Sequence, residues 1–165
     1  MNAITLSLCG ALLSLLLPGA AGGQVPASSP EIGPLEIKSI AEVESKASGG
    51  LKLVPAERVV PGDRVIYTLE ARNTGATALD APSIAYPIPE HMRYVTDSAV
   101  GPGAEVTYSV DGGRSFERAE NLKLRGPDGR ERRAVAADYT HIRWQLKGSL
   151  KANSVAFVRF RALVK

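Results

Sequence analysis

The sequence predicts an all-β protein, an immunoglobulin-like antiparallel β-sandwich of about seven strands. Three observations predict it. Segments in which apolar and polar side chains alternate with period two recur along the chain. Turn signals built from Gly, Pro, Asn and Asp separate them. No stretch of residues 24–165 carries a convincing 3.6-residue apolar period.

The clearest element is residues 59–75, VVPGDRVIYTLEARNTG. Pro61-Gly62-Asp63 reads as a turn, because proline presets φ and glycine accepts positive φ. Val65, Tyr67, Leu69 and Ala71 then point one way, and Arg64, Thr68, Glu70 and Arg72 the other. Only Ile66 breaks the pattern. Asn73-Thr74-Gly75 closes the strand with a second turn.

In chain order, residues 35–43 form the first expected strand, with a register shift near Ser39-Ile40 that suggests a bulge. Ser48-Gly49-Gly50 turns the chain, and Leu51 and Leu53 alternate up to Pro55, which suits an edge strand or a strand end. After residues 59–75, residues 83–89 (SIAYPIP) are extended, but their prolines forbid a central ladder position past Tyr86. Residues 92–95 make a short strand. Residues 104–110 alternate, with Val106, Tyr108 and Val110 on one face. Asp111-Gly112-Gly113 is a hairpin turn, and Ser115-Phe116 begins the return. Residues 117–138 read as a long loop or loose hairpin around Gly126-Pro127-Asp128-Gly129. Residues 139–146 place Ile142, Trp144 and Leu146 inward, so Trp144 is expected in the core. Residues 155–164 place Ala156, Val158, Phe160, Ala162 and Val164 inward, with Arg159 and Arg161 outward.

A chain of 165 residues suggests one domain, and 44% hydrophobic with 22% charged residues is ordinary for a globular protein. Residues 1–23 read as a secretory signal peptide: an apolar run, Pro18, then small residues. The expected cut follows Gly23, with Ala21 at −3; Ala27 is the other option. The n-region has no Lys or Arg, so the true start could lie elsewhere, and an uncleaved anchor is the alternative reading. Residues 24–34 (QVPASSPEIGP) form a flexible lead. Residues 35–165 form the single sandwich domain. Cys9, the only cysteine, lies inside the leader after Leu8, a poor setting for lipidation, so the mature chain has no disulfide.

Lys and Arg exceed Asp and Glu by only 20 to 17, a net charge of +3. That argues against nucleic acid and anionic membrane as partners, both of which need a concentrated basic stripe. No nucleophile, metal-protease, phosphate-loop or dinucleotide motif occurs. His91 and His141 have no neighbouring ligands, and the loop acids Glu120, Asp128, Glu131 and Asp138 read as solvated charges. No catalytic, cofactor-binding or metal-binding residue is therefore assigned, and no enzyme activity is expected. The charge concentration is Arg114, Arg118, Lys123, Arg125, Arg130, Arg132 and Arg133, interrupted by acids. A solvated loop is its plain account. A contact for lipopolysaccharide, an acidic glycan or an acidic protein is the sharper one. The contact residues are Arg125, Arg130, Arg132 and Arg133 in the loop, and Arg159 and Arg161 on the last strand. That strand is expected near a sheet edge, where a partner strand could add.

Val60-Pro61-Gly62-Asp63, Tyr67-Thr68, Asn73-Thr74-Gly75 and Pro87-Ile88-Pro89 together resemble the bacterial conserved repeat domain, domain of unknown function 11. The likeness covers residues 51–164, in a single copy. The family's aspartate before the first proline is Tyr86 here, so any role of that carboxylate is absent. The resemblance implies an immunoglobulin-like or prealbumin-like sandwich in envelope and surface proteins. The segment SVDGGRSF (residues 109–116) is similar to an Asp-box hairpin, which implies a structural turn in which Asp111 binds backbone amides. The expected function is a non-enzymatic exported envelope module with a structural or protein-interaction role. The alternative is a ligand-binding module for carbohydrate or anionic envelope polymer. The expected location is the periplasm, with secretion or the cell surface as alternatives. A cell-wall sorting tail or membrane helix after Lys165 would have favoured a Gram-positive surface.

Overall fold

The computed structural model describes residues 34–47 and 50–165. The expected leader, the lead through Gly33, and Ser48 with Gly49 lie outside the described residues. The described chain is all-β and antiparallel. Its strands are β1 (Leu35–Ala47), β2 (Gly50–Pro55), β3 (Arg64–Asn73), β4 (Ser83–Pro87), β5 (Met92–Tyr94), β6 (Ala104–Ser109), β7 (Lys123–Arg125), β8 (Glu131–Arg133), β9 (His141–Leu146) and β10 (Val155–Val164). A 3-10 turn, Ala136–Asp138, precedes β9.

The strands form a five-stranded sheet in the order β2-β1-β3-β10-β5, a three-stranded sheet β4-β9-β6, and the small β7-β8 hairpin. The alternation read in β3 is what joins the two larger sheets. Val65, Leu69 and Ala71 are wholly buried, and Tyr67 nearly so. Across the ladder they meet Ala162, Val158, Ala156 and Phe160 of β10. The inner face of the smaller sheet brings Ile84, Ile142 and Trp144, all fully buried. Trp144 packs on Phe160 with ring centroids 6.1 Å apart, and Tyr86 lies 6.4 Å from Tyr67. The two inner faces thus share one core, and Trp144 is inside it.

Several boundaries hold. Gly62 takes φ +94° in the Pro61-Gly62-Asp63 turn. β2 is an edge strand that stops at Pro55, and β4 is an edge strand that stops at Pro87, beyond which proline has no N–H to give the ladder. The long loop contains a hairpin whose turn closes through the Gly126 N–H on the Arg130 carbonyl (2.8 Å).

Two expectations are corrected. β1 has no bulge near Ser39-Ile40. Its pairing with β3 runs from Leu35 opposite Asn73 to Val43 opposite Val65 without a skipped residue. The shift arises because Ile37, on the inner face, and Ile40, on the outer face, are exposed to almost the same degree, 38% and 39%. The second correction concerns β10. It is an interior strand, between β3 and β5, not an edge. β5 covers only its last residues, Ala162 to Val164, and Val100 forms a lone bridge to Arg159.

Candidate functional site

The predicted contact arginines fall into two groups on different elements. Arg125, Arg130, Arg132 and Arg133 belong to the β7-β8 hairpin, which the buried Leu122 and Ala134 at its base anchor to the core. In its ladder Lys123 stands opposite Arg133, and Arg125 opposite Glu131. Arg132 is held: its guanidinium donates to both carboxylate oxygens of Asp138, each at 2.7 Å. Such bidentate pairs fix orientation as well as charge. Asp138 also accepts the Val135 N–H at 2.8 Å, and these contacts lower its pKa below the usual carboxylate range. Lys123 pairs with Glu131 at 3.0 Å, and Arg130 approaches Asp128 at 3.9 Å. Arg125 and Arg133 have no acidic partner among the described residues.

Arg159 and Arg161 project from the outer face of β10, opposite Thr68 and Ile66. Arg159 Nε donates to Thr68 Oγ1 at 3.2 Å. Neither arginine has an acidic partner among the described residues. No hydrogen bond joins the two arginine groups. Ile66, the residue out of pattern in β3, is only 3% exposed on this outer face.

The SVDGGRSF turn is built as its residues suggest. Asp111 accepts the N–H groups of Arg114 and Ser115 at 3.0 Å each, the Ser115 hydroxyl at 2.6 Å and the Ser109 hydroxyl at 2.7 Å. The Ser115 and Ser109 bonds, with the Arg114 amide, hold its carboxyl far below the ordinary aspartate range. Gly112 and Gly113 take φ +78° and +85°. Phe116 lies under the Arg143 guanidinium, 4.5 Å from it, so the turn also covers the outer face of β9. His141 packs against Gly113, where an added Cβ would meet its ring at 3.3 Å. His91 is exposed at the start of β5.

Sequence reasoning missed a tyrosine cluster. Tyr94 and Tyr108 share a hydrogen bond between their hydroxyls at 3.0 Å, and Tyr139 stacks on Tyr108 with centroids 4.5 Å apart. The Ala99 N–H donates to the Tyr94 hydroxyl at 3.0 Å. Burial raises the pKa of Tyr108 well beyond its usual value, helped by the Tyr94 hydroxyl, and raises that of Tyr139. Tyr94 and Tyr139 also line a cleft of about 330 Å³ with Pro87, Met92, His141 and Lys165. The alternation in residues 104–110 puts Tyr108 on one face with Val106 and Val110, but nothing in the sequence joins it to the other two.

Among the described residues no group of three or more His, Cys, Asp or Glu side chains is placed to hold a metal, and no helix is long and apolar enough to cross a membrane. Comparison with protein families, with curated proteins and with solved structures finds no match for this chain. Fold and geometry therefore define a class only: an all-β protein of antiparallel sheets, with arginines on the β7-β8 hairpin and on the outer face of β10.

Proposed function

We propose that the chain is an exported, non-enzymatic module of the bacterial envelope, an immunoglobulin-like sandwich and single-copy relative of the conserved repeat domain, with a structural or protein-interaction role. One observation carries this reading. The acids whose pKa values are lowered already hold the chain's own architecture: Asp111 a turn, Asp138 the hairpin through Arg132, and Glu105 the return segment through Arg118. Arg125, Arg133 and Arg159 are instead exposed and have no acidic partner among the described residues, which suits contact with an acidic surface. The leader and the resemblance supply the envelope and the periplasm, with secretion or the cell surface as alternative addresses.

A second reading, a ligand-binding module for carbohydrate or anionic envelope polymer, is favoured by the tyrosine-lined cleft with His141 and Lys165 at its wall. One experiment separates the two. Producing cells are fractionated, the mass of the envelope-borne chain is measured, and cross-linked proteins are compared for the native chain and for R125E/R130E/R133E. A chain lacking residues 1–23, with protein cross-links lost in the variant, supports the first reading. A chain still starting at Met1 in the cytoplasm overturns export. Retention on envelope polysaccharide without protein cross-links favours the second reading.

A further inference from the structure

β10 is paired along one side and only partly along the other. Toward β3, every residue from Val155 to Leu163 has a partner. On the far side the Val95 N–H reaches the Arg161 carbonyl at 2.9 Å, and Arg159 exchanges both backbone bonds with Val100 at 2.8 Å each. Antiparallel strands turn alternate residues to alternate sides. The N–H and C=O of Phe157 and Val155 therefore point to the same side as those of Arg159, beyond the place where Val100 ends the pairing. No strand among the described residues lies there. β10 thus has an open half-edge.

The half-edge opens onto a groove of about 320 Å³ lined by Thr68, Val100, Pro102, Phe157, Val158 and Arg159. Phe157 is 53% exposed and Val100 54% exposed, a pair of large apolar side chains at one spot. Arg159 is the unpaired charge beside them. The nearby Glu70, opposite Phe157, is already bound to Arg72 at 3.0 Å.

We propose that this groove is a strand-addition site for an extended segment of a partner protein, one that lays an apolar side chain on Phe157 and Val100 and turns a carboxylate toward Arg159. The inference deepens the protein-interaction reading and rests on it. Each part of the occupant follows from the site. Backbone donors and acceptors in β alignment select an extended chain. The exposed ring and the valine select an apolar side chain. The unpaired guanidinium selects an acid.

The probe is an acetylated and amidated octapeptide of alternating valine and threonine with one central glutamate. Amide hydrogen exchange of the isotopically labelled residue 24–165 chain is followed by NMR. In the free protein the Val155 and Phe157 amides should exchange at least tenfold faster than those of Val158 and Phe160. Saturating peptide should slow them at least tenfold. A peptide with N-methylated alternate amides should give no protection, and glutamate-to-lysine replacement should weaken binding at least fivefold. R159E should reverse that charge preference, and F157T should weaken binding of the native-charge peptide with the melting transition in place. Amides already protected in the free protein, protection by the N-methylated peptide, or no protection at all would each overturn the proposal. Protection that rises with protein concentration alone would assign the groove to a second copy, and protection confined to β2 would assign strand addition to the other edge. Export and cross-linking, measured separately, stand or fall independently of this result.

Discussion

Asn73→Ala should be among the most damaging single changes in the protein. Asn73 is wholly buried at the end of β3. Its side-chain N–H groups serve three carbonyls: Thr77 at 2.8 Å, Leu150 at 2.9 Å and Lys151 at 3.1 Å. Its side-chain oxygen accepts the Gly75 N–H at 2.9 Å. Asparagine has two amide hydrogens, so one of them is shared between carbonyls. Alanine leaves four backbone groups without this partner. A buried polar group left unmet costs roughly 1–3 kcal/mol. The Leu150 contact is buried and takes that full range, whereas the other three are part-buried and water replaces much of what they lose. The total comes to about 3–5 kcal/mol, a large part of the roughly 5–15 kcal/mol that holds such a domain. Denaturant melts read it directly, with an unchanged slope. Asn73→Asp isolates the cause. It keeps the acceptor for Gly75 and turns a carboxylate oxygen toward three carbonyl oxygens in a buried place. Its folded pKa is raised above the unfolded value of about 3.9. The sign follows: protonated below that value in both states, the variant is close to its best there. It then loses stability as pH rises through its folded pKa. A loss under about 1 kcal/mol for the alanine variant, or an aspartate deficit that does not grow between about pH 4 and 7, would refute the reasoning.

Trp144→Ala should cost about 3–5 kcal/mol in a chemical melt, because the indole is wholly buried, and a loss below about 1 kcal/mol would contradict its core role. Trp144→Phe should cost clearly less than Trp144→Ala, since the indole N–H has no hydrogen-bond partner to lose among the described residues; equal losses in the two melts would count against this. Gly113→Ala should destabilise by about 1–2 kcal/mol, as the φ of +85° is left-handed and the new methyl meets the His141 ring; an unchanged melting temperature would show that the turn relaxes freely. Asp111 has a depressed folded pKa, so its contribution is present above the unfolded value of about 3.9 and is lost as pH falls toward the folded one. The stability gap between the native chain and Asp111→Ala should therefore narrow in acid, and a gap that stays constant below about pH 4 would argue against the depressed pKa.

The strands were legible where one face is dry and the other wet. β3, β9 and β10 meet that condition, and their alternation predicts Val65, Trp144 and Phe160 as core. β1 does not meet it: with Ile37 and Ile40 about equally exposed, packing does not oblige the sequence to alternate, and an imagined bulge filled the gap. The position of β10 was hidden for another reason. Alternation reports which face a side chain takes, not which strand lies beside it, so β5 and Val100 had no signature. Asn73 read as turn punctuation because its three carbonyl partners include two more than seventy residues away. Tyr94, Tyr108 and Tyr139 meet only in space. The Asp111 carboxylate was the opposite case, since every bond it makes lies within four residues.

The interior place of β10 sets an order of events for the chain as it is made. β3 needs β10 to complete the middle of its sheet, and every strand from β4 to β9 lies between them in sequence. A growing chain that has released β3 can pair it with β1 but still lacks its second neighbour, which leaves Leu69 and Tyr67 without Val158 and Phe160 beside them. Pairings that close so long a loop form slowly, because the entropy of closure comes before any contact rewards it. Closure of this sheet therefore waits until β10 has been made, after every other described strand. Until β10 emerges, one side of β3 stays unpaired, and in that interval the chain is open to proteases and to wrong pairings.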